Sequence, residues 1–278
     1  MLARLNASHS QAFSQGRGSR PHTLLPRRAL LCKPVPAHAA STPASSPPAQ
    51  KKDPFAERTV YNDNFLDLLF IKIYTKKIAA QLDGVYVPDN PTYDDFVRVS
   101  KEIMKGRTPE QQKAVVLDVL RTLLPDYATK LFRDLFPPTK SSAELNALFA
   151  TLGFKWLVGE MERQRGDIKV GPNEVRPQDS IVKIKKCRYL EASGCVGMCT
   201  NVCKMPTQAF FTDDFGLPLT MKPNFEDLSC EMIFGQPPEP KENDEAFKQP
   251  CFLNNCDIAK ERQLAKEGSP CPKLGSRS

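Results

Sequence analysis

Eight of the nine cysteines in this 278-residue chain fall between positions 187 and 271. Four of them crowd into the stretch CRYLEASGCVGMCTNVCKMP, which opens at Cys187 and holds Cys195, Cys199 and Cys203. Cys230, Cys251, Cys256 and Cys271 follow at wider spacing. Thiolates are soft ligands suited to iron, iron–sulfur clusters and zinc. A helix over 195–203 would set three sulfurs along one face, with successive Cβ atoms ~5–6 Å apart. That is near enough to share a metal centre, but too far for neighbours on the same helix to form a disulfide, which needs Cβ atoms about 3.5–4.5 Å apart. Cys195, Cys199 and Cys203 are therefore the candidate metal ligands. Cys230, just after NFEDLS, is the candidate fourth, with Cys187 and the Cys251/Cys256 pair as rivals.

Three chemistries compete at these residues. Iron, as a mononuclear site or an iron–sulfur cluster, suits an all-thiolate set. The run departs from a ferredoxin motif, because three residues separate its cysteines where ferredoxins have two, and Pro206 follows Cys203 only after Lys204 and Met205. Zinc would need two distinct knuckles with shorter spacing. Disulfides would pair an even set, but they belong to oxidising compartments. All three histidines, His9, His22 and His38, lie near the N-terminus, so a chain trimmed there has no histidine for a catalytic triad or an imidazole-bound metal. The acidic residues near the cysteines, Asp213, Asp214, Glu226, Asp227 and Glu231, read as turn and surface carboxylates.

The formal charge of +7 comes from the N-terminal tail. Residues 1–52 carry eight basic residues and no acid, leaving 31 basic against 32 acidic residues from Asp53 onward. The folded body thus offers no electrostatic footprint for nucleic acid. An arginine-rich, acid-free tail loaded with Ser, Ala and Pro has the composition of an organelle transit peptide, and its proline-broken apolar pieces do not make a secretory signal. Residues 1–52 are accordingly expected to be a disordered transit peptide, 53–165 a helical region and 166–278 a Cys-rich metal-binding region.

These cysteines need a scaffold. Helical periodicity predicts helices near 62–82, 93–105, 109–124, 126–136 and 141–164, with Thr108, Pro109 and Gln111 forming a helix start. IVKIKKCRYL alternates like a strand, and QAFFTDDFGLPLTM reads as a hairpin around Asp213, Asp214 and Gly216. The expected fold class is α+β, an N-terminal helical bundle packed with a Cys-rich C-terminal region that contains a small antiparallel sheet. FLDLLFIKIY at 65–74 is apolar almost all round, which predicts a helix covered on most sides, or one that lines a lipophilic cavity or touches a membrane. The stripe Leu145, Leu148, Phe149, Leu152 and Trp156 reads as core. No window approaches the ~20 apolar residues of a membrane-spanning helix.

CRYLEASGCVGMCTNVCKMPTQAFF, then GLPLTMKPNFEDLSCEMIFGQPP, then PCFLNNC, resembles the plastid iron-containing carotenoid isomerases, which convert all-trans-β-carotene to its 9-cis isomer and begin strigolactone biosynthesis. The match is close over 187–256 and looser from about Asp53. The resemblance implies an iron-dependent enzyme in the plastid stroma or peripheral to plastid membranes. Its substrate would be a lipophilic carotenoid and its product would pass to carotenoid cleavage dioxygenases. The alternative is an electron-transfer iron–sulfur protein of the plastid.

Overall fold

Helices begin where the sequence supplies a reciprocal cap. Asn64, Thr92 and Thr108 each accept a backbone N–H of the first turn. Asp67, Asp95 and Gln111, three residues on, return a bond to the cap's own N–H. These caps start α1 (Phe65–Ala80), α2 (Tyr93–Glu102) and α3 (Pro109–Leu123). In this computed structural model, which describes residues 53–124, 126–252 and 254–257, α4 (Asp126–Leu135), α5 (Lys140–Gly153) and the short α6 (Lys155–Val158) complete the helical half. The proposed transit peptide and Cys271 lie outside the described residues.

The fifth helix stops at Gly153, short of the expected 164, and β1 (Met161–Gly171) begins instead. It forms a hairpin with β2 (Glu174–Ile184). MERQRGDIKVG has no apolar alternation to betray a strand, and only Ile168 in it is buried. Pairing with β2 at the sheet edge makes it one.

After α7 (Arg188–Ser193) the chain runs as π-helix over Met198–Lys204, as α8 over Met205–Ala209 and again as π-helix over Phe210–Asp214. The expected hairpin around Asp213 is therefore corrected: its first limb is helical and only its second, β3 (Leu219–Pro223), is a strand. Phe210 and Phe211 pack on Phe215 with ring centroids 5.1 and 5.5 Å apart, and Phe211 also packs on Phe234 at 5.3 Å. Aromatic burial on a helical spacing outweighs the local strand propensity of the run. β4 (Cys230–Phe234) closes a four-stranded antiparallel sheet of order β1-β2-β4-β3. One hydrophobic core, with Ile71, Val99, Ile103, Leu190, Met198, Leu219 and Phe234 nearly or fully inaccessible, joins the helices to the sheet.

Two apolar stripes lie differently from expectation. α1 buries Ile71, Thr75 and Ile78 but leaves Phe65 78% and Leu66 58% accessible, with Leu68, Leu69 and Phe70 also exposed. It is not covered on most sides. On α5 the inward face is small, Ala143, Ala147 and Ala150 packing close to the sheet, while Leu148, Phe149 and Leu152 face outward. Of the stripe expected in the core, Trp156 is buried and Leu145 half-buried. Small residues win the contact with β2 because they let the helix approach the sheet closely.

Candidate functional site

Three elements bring thiols to one place. Cys187 caps the N-terminus of α7, its Sγ accepting the Leu190 N–H at 3.4 Å and its own N–H donating to the Leu228 carbonyl at 2.7 Å. Leu228 is fully buried at φ 61°, the one left-handed non-glycine among the described residues. Such strain survives only where the surroundings dictate it. Here the surroundings are the turn between β3 and β4, stitched by Asn224 accepting from the Glu226 N–H and Asp227 accepting from the Ser229 N–H. That turn delivers Cys230 to the start of β4, opposite Ile184 and Pro223. Cys199 and Cys203 come from the π-helical run, whose wider turn is a frequent feature of functional sites.

Cys187, Cys199, Cys203 and Cys230 line one small apolar cavity of about 20 Å³, with Tyr189 and Lys204 also on its wall. Of the four residues singled out as ligands, the structure brings Cys199, Cys203 and Cys230 together here. Cys187, the rival, joins them. Cys195 lies elsewhere: it precedes the helical run, just after the left-handed Gly194, and its thiol hydrogen-bonds that of Cys256. Spacing of four along one helix could not reveal this, because α7 ends at Ser193, Gly194 turns the chain, and Cys195 stands at the very start of the helical run that carries Cys199.

The electrostatics reflect crowding in a dry site. Burial pushes the Cys187 thiol up to about 11, and burial with the nearby Cys187 pushes Cys203 up to about 12. Cys199 rises well above an ordinary thiol through burial and then through Cys203, Cys230 and Cys187. Cys230 rises for the same reason, through Cys187 and Cys203. The Lys204 ammonium opposes both shifts. It is buried and paired with the Asp244 carboxylate. The cavity thus holds four crowded thiols beside a positive charge, and a buried charge of this kind is held by its partner.

The acidic residues near the cysteines have structural partners. Asp214 pairs with Arg121, Glu231 pairs across the strands with Lys183 at 3.0 Å, and Asp227 holds its turn. Among the described residues, no group of three Cys, Asp, Glu or His side chains forms a ready-made cage for one metal ion. Four thiols with no imidazole beside them make a donor set of the kind that holds iron–sulfur centres and, equally, structural zinc.

Fold and site together define a small α+β protein organised around a buried, thiol-lined cavity. Residues 156–243 match the family described as "Beta-carotene isomerase D27-like, C-terminal". Over 210 residues the chain is 39% identical to "Beta-carotene isomerase D27, chloroplastic" of Medicago truncatula, covering 73% of this chain and 80% of the relative. Over 223 residues it is 37% identical to the protein of the same name from Arabidopsis thaliana, covering 80% of this chain and 82% of the relative. The chain belongs to the β-carotene isomerase D27-like family. No solved structure matches it.

Proposed function

We propose that this protein is a plastid isomerase that interconverts all-trans-β-carotene and 9-cis-β-carotene at the C9–C10 double bond. The observation that carries the reading is the identity of 37–39% to two chloroplastic β-carotene isomerases over about four fifths of their length. The electron-transfer alternative is not favoured, since both relatives are named isomerases. The product would pass to carotenoid cleavage dioxygenases at the start of strigolactone biosynthesis.

Cys187, Cys199, Cys203 and Cys230 would hold iron, and binding it must release their protons. When bound, iron supplies the transient electron shift or Lewis acidity that weakens a double bond. The remaining work belongs to the chain itself. The apolar wall keeps water away from the thiols. Lys204, anchored by Asp244, lies beside the thiols and eases the ionisation of Cys199 and Cys230. The exposed apolar end of α1 supports a protein peripheral to the membranes in which a carotene is dissolved, and no described helix is long and apolar enough to cross one.

The test is direct. Purified protein is incubated with all-trans-β-carotene in detergent, and separately with the 9-cis isomer, with no electron acceptor added, and the isomers are separated by chromatography. Both mixtures should converge on one ratio. Absence of interconversion by iron-replete protein would overturn the reading. Single Cys-to-Ser changes at 187, 199, 203 and 230 should lower bound iron and turnover together, whereas Cys195→Ser should keep both.

A further inference from the structure

The Tyr189 ring and Cys203 separate the thiol-lined cavity from a second hollow, a cleft of about 70 Å³ among α1, α2 and α3. Tyr74 and Ile78 of α1, Phe96 of α2, and Val116, Val119 and Leu120 of α3 form most of its wall. No charged side chain among the described residues lines it. The roomier hollows on the surface, of about 240 and 370 Å³, are lined by groups such as Arg58, Asp94, Arg188 and Lys101 and suit water. Tyr74 and Ile78 continue a stripe. Leu66, Phe70, Tyr74 and Ile78 recur every four residues, so each adjoins the next and together they form a ridge that winds slowly round α1 from the cleft to the exposed end of the helix. Twelve residues of helix give that ridge a length of about 18 Å along the axis.

We propose that this cleft and the stripe leading out of it seat an extended hydrocarbon polyene, with Tyr189 as the partition that holds the chain beside Cys203. The inference rests on the isomerase reading and adds to it the place where the substrate lies. At about 70 Å³ the cleft is far below the ~300–1,000 Å³ of an ordinary ligand pocket. It therefore takes only a stretch of the thin chain, with half-buried Val116 and Leu120 yielding at its mouth, while the rest lies along the accessible Phe70 and Leu66. The apolar end of α1, which no other described element covers, thereby acquires an occupant of matching chemistry and shape.

The single tryptophan of the chain reports on this seat. Trp156 is buried and packs on Phe70 with ring centroids 6.0 Å apart, on Tyr74 at 4.9 Å and on Phe96 at 5.8 Å. Retinol, a short polyene whose absorption overlaps tryptophan emission, is titrated into the full protein, and β-carotene in detergent is titrated in parallel. Both should quench Trp156 to saturation. Val116→Phe and Leu120→Phe, which fill the cleft, should weaken quenching and raise the KM for β-carotene at least tenfold at unchanged melting temperature, and Leu152→Ser on α5 should change neither. If the Phe variants do not fold, Leu66→Ser at the exposed end of the stripe serves in their place and should also weaken quenching. Wild-type quenching and KM in the cleft variants, or in Leu66→Ser, would overturn the proposal even where isomerisation proceeds normally. Cleft-dependent quenching in a protein without isomerase activity would leave the seat standing and remove the isomerase reading instead.

Discussion

Asp63→Ala tests the ion pair that fastens the N-terminal segment to the helix carrying Cys187. The Arg188 side chain is only 7% accessible. It donates to both carboxylate oxygens of Asp63 at 2.5 and 2.8 Å and to the Trp156 carbonyl at 3.0 Å. Its guanidinium lies 3.7 Å from the Tyr93 ring centroid and 4.5 Å from that of Tyr61. Removing the carboxylate leaves a buried cation with aromatic faces and one carbonyl but no anion, a change that costs about 3–5 kcal/mol in comparable sites. Asp63 is itself partly accessible, so water can approach the vacated position and the lower end, about 3 kcal/mol, is expected here. For a folded unit of this size that corresponds to a fall of roughly 6–12 °C in melting temperature. Replacing the cation as well, in Asp63→Ala/Arg188→Met, removes the uncompensated charge and should recover part of the loss, since a well-packed apolar side chain often substitutes for a buried pair. Urea unfolding of the wild type, both single variants and the double variant closes the cycle. A loss below about 1 kcal/mol for Asp63→Ala, or a double variant less stable than that single one, would refute the reasoning, because either outcome means that water or the Trp156 carbonyl and the Tyr61 and Tyr93 rings satisfy the guanidinium without the carboxylate.

Gly194 has φ +57°, and an added Cβ would meet the Asn255 carbonyl oxygen at 2.5 Å. Gly194→Ala should therefore lower the urea midpoint and detach the 254–256 segment, measured as faster alkylation of Cys256 in the variant than in the wild type. Cys187 holds its proton up to about pH 11, whereas an unfolded chain releases it near ~8.5. Across that window the unfolded state binds fewer protons, so metal-free protein should lose stability as pH rises, by roughly 3 kcal/mol for this group. A pH-independent difference between wild type and Cys187→Ala over that range would contradict it. Replacing exposed Leu68 and Leu69 of α1 together by Ser should leave the melting temperature within a degree or two and reduce sedimentation with plastid-lipid vesicles, and undiminished binding would show that α1 does not touch the membrane. Thr108→Ala removes a reciprocal cap and should cost about 1 kcal/mol in thermal unfolding.

The helix start at Thr108 and the strand character of the first part of IVKIKKCRYL, Ile181–Ile184, were legible in the sequence, because caps and periodicity act over a few residues, whereas the Arg188–Leu190 end of that run is helical. So were the soft donors and the basic, acid-free N-terminal tail. β1 was not legible, since its residues carry no apolar alternation and the neighbouring strand supplies its hydrogen bonds. The Phe210–Asp214 helix was hidden for the opposite reason: its local pattern suits a strand, and the packing of Phe210 and Phe211 on Phe215, and of Phe211 on Phe234, decides otherwise. Spacing along the chain singled out Cys195, Cys199 and Cys203 as neighbours. Which thiols face one another depends on where the chain turns. The left-handed Gly194 sends Cys195 to Cys256, while the bond from the Cys187 N–H to Leu228 brings Cys187 against the turn that delivers Cys230. Both are contacts between residues far apart in sequence, set by a glycine conformation and a strained leucine whose geometry only the packed interior determines.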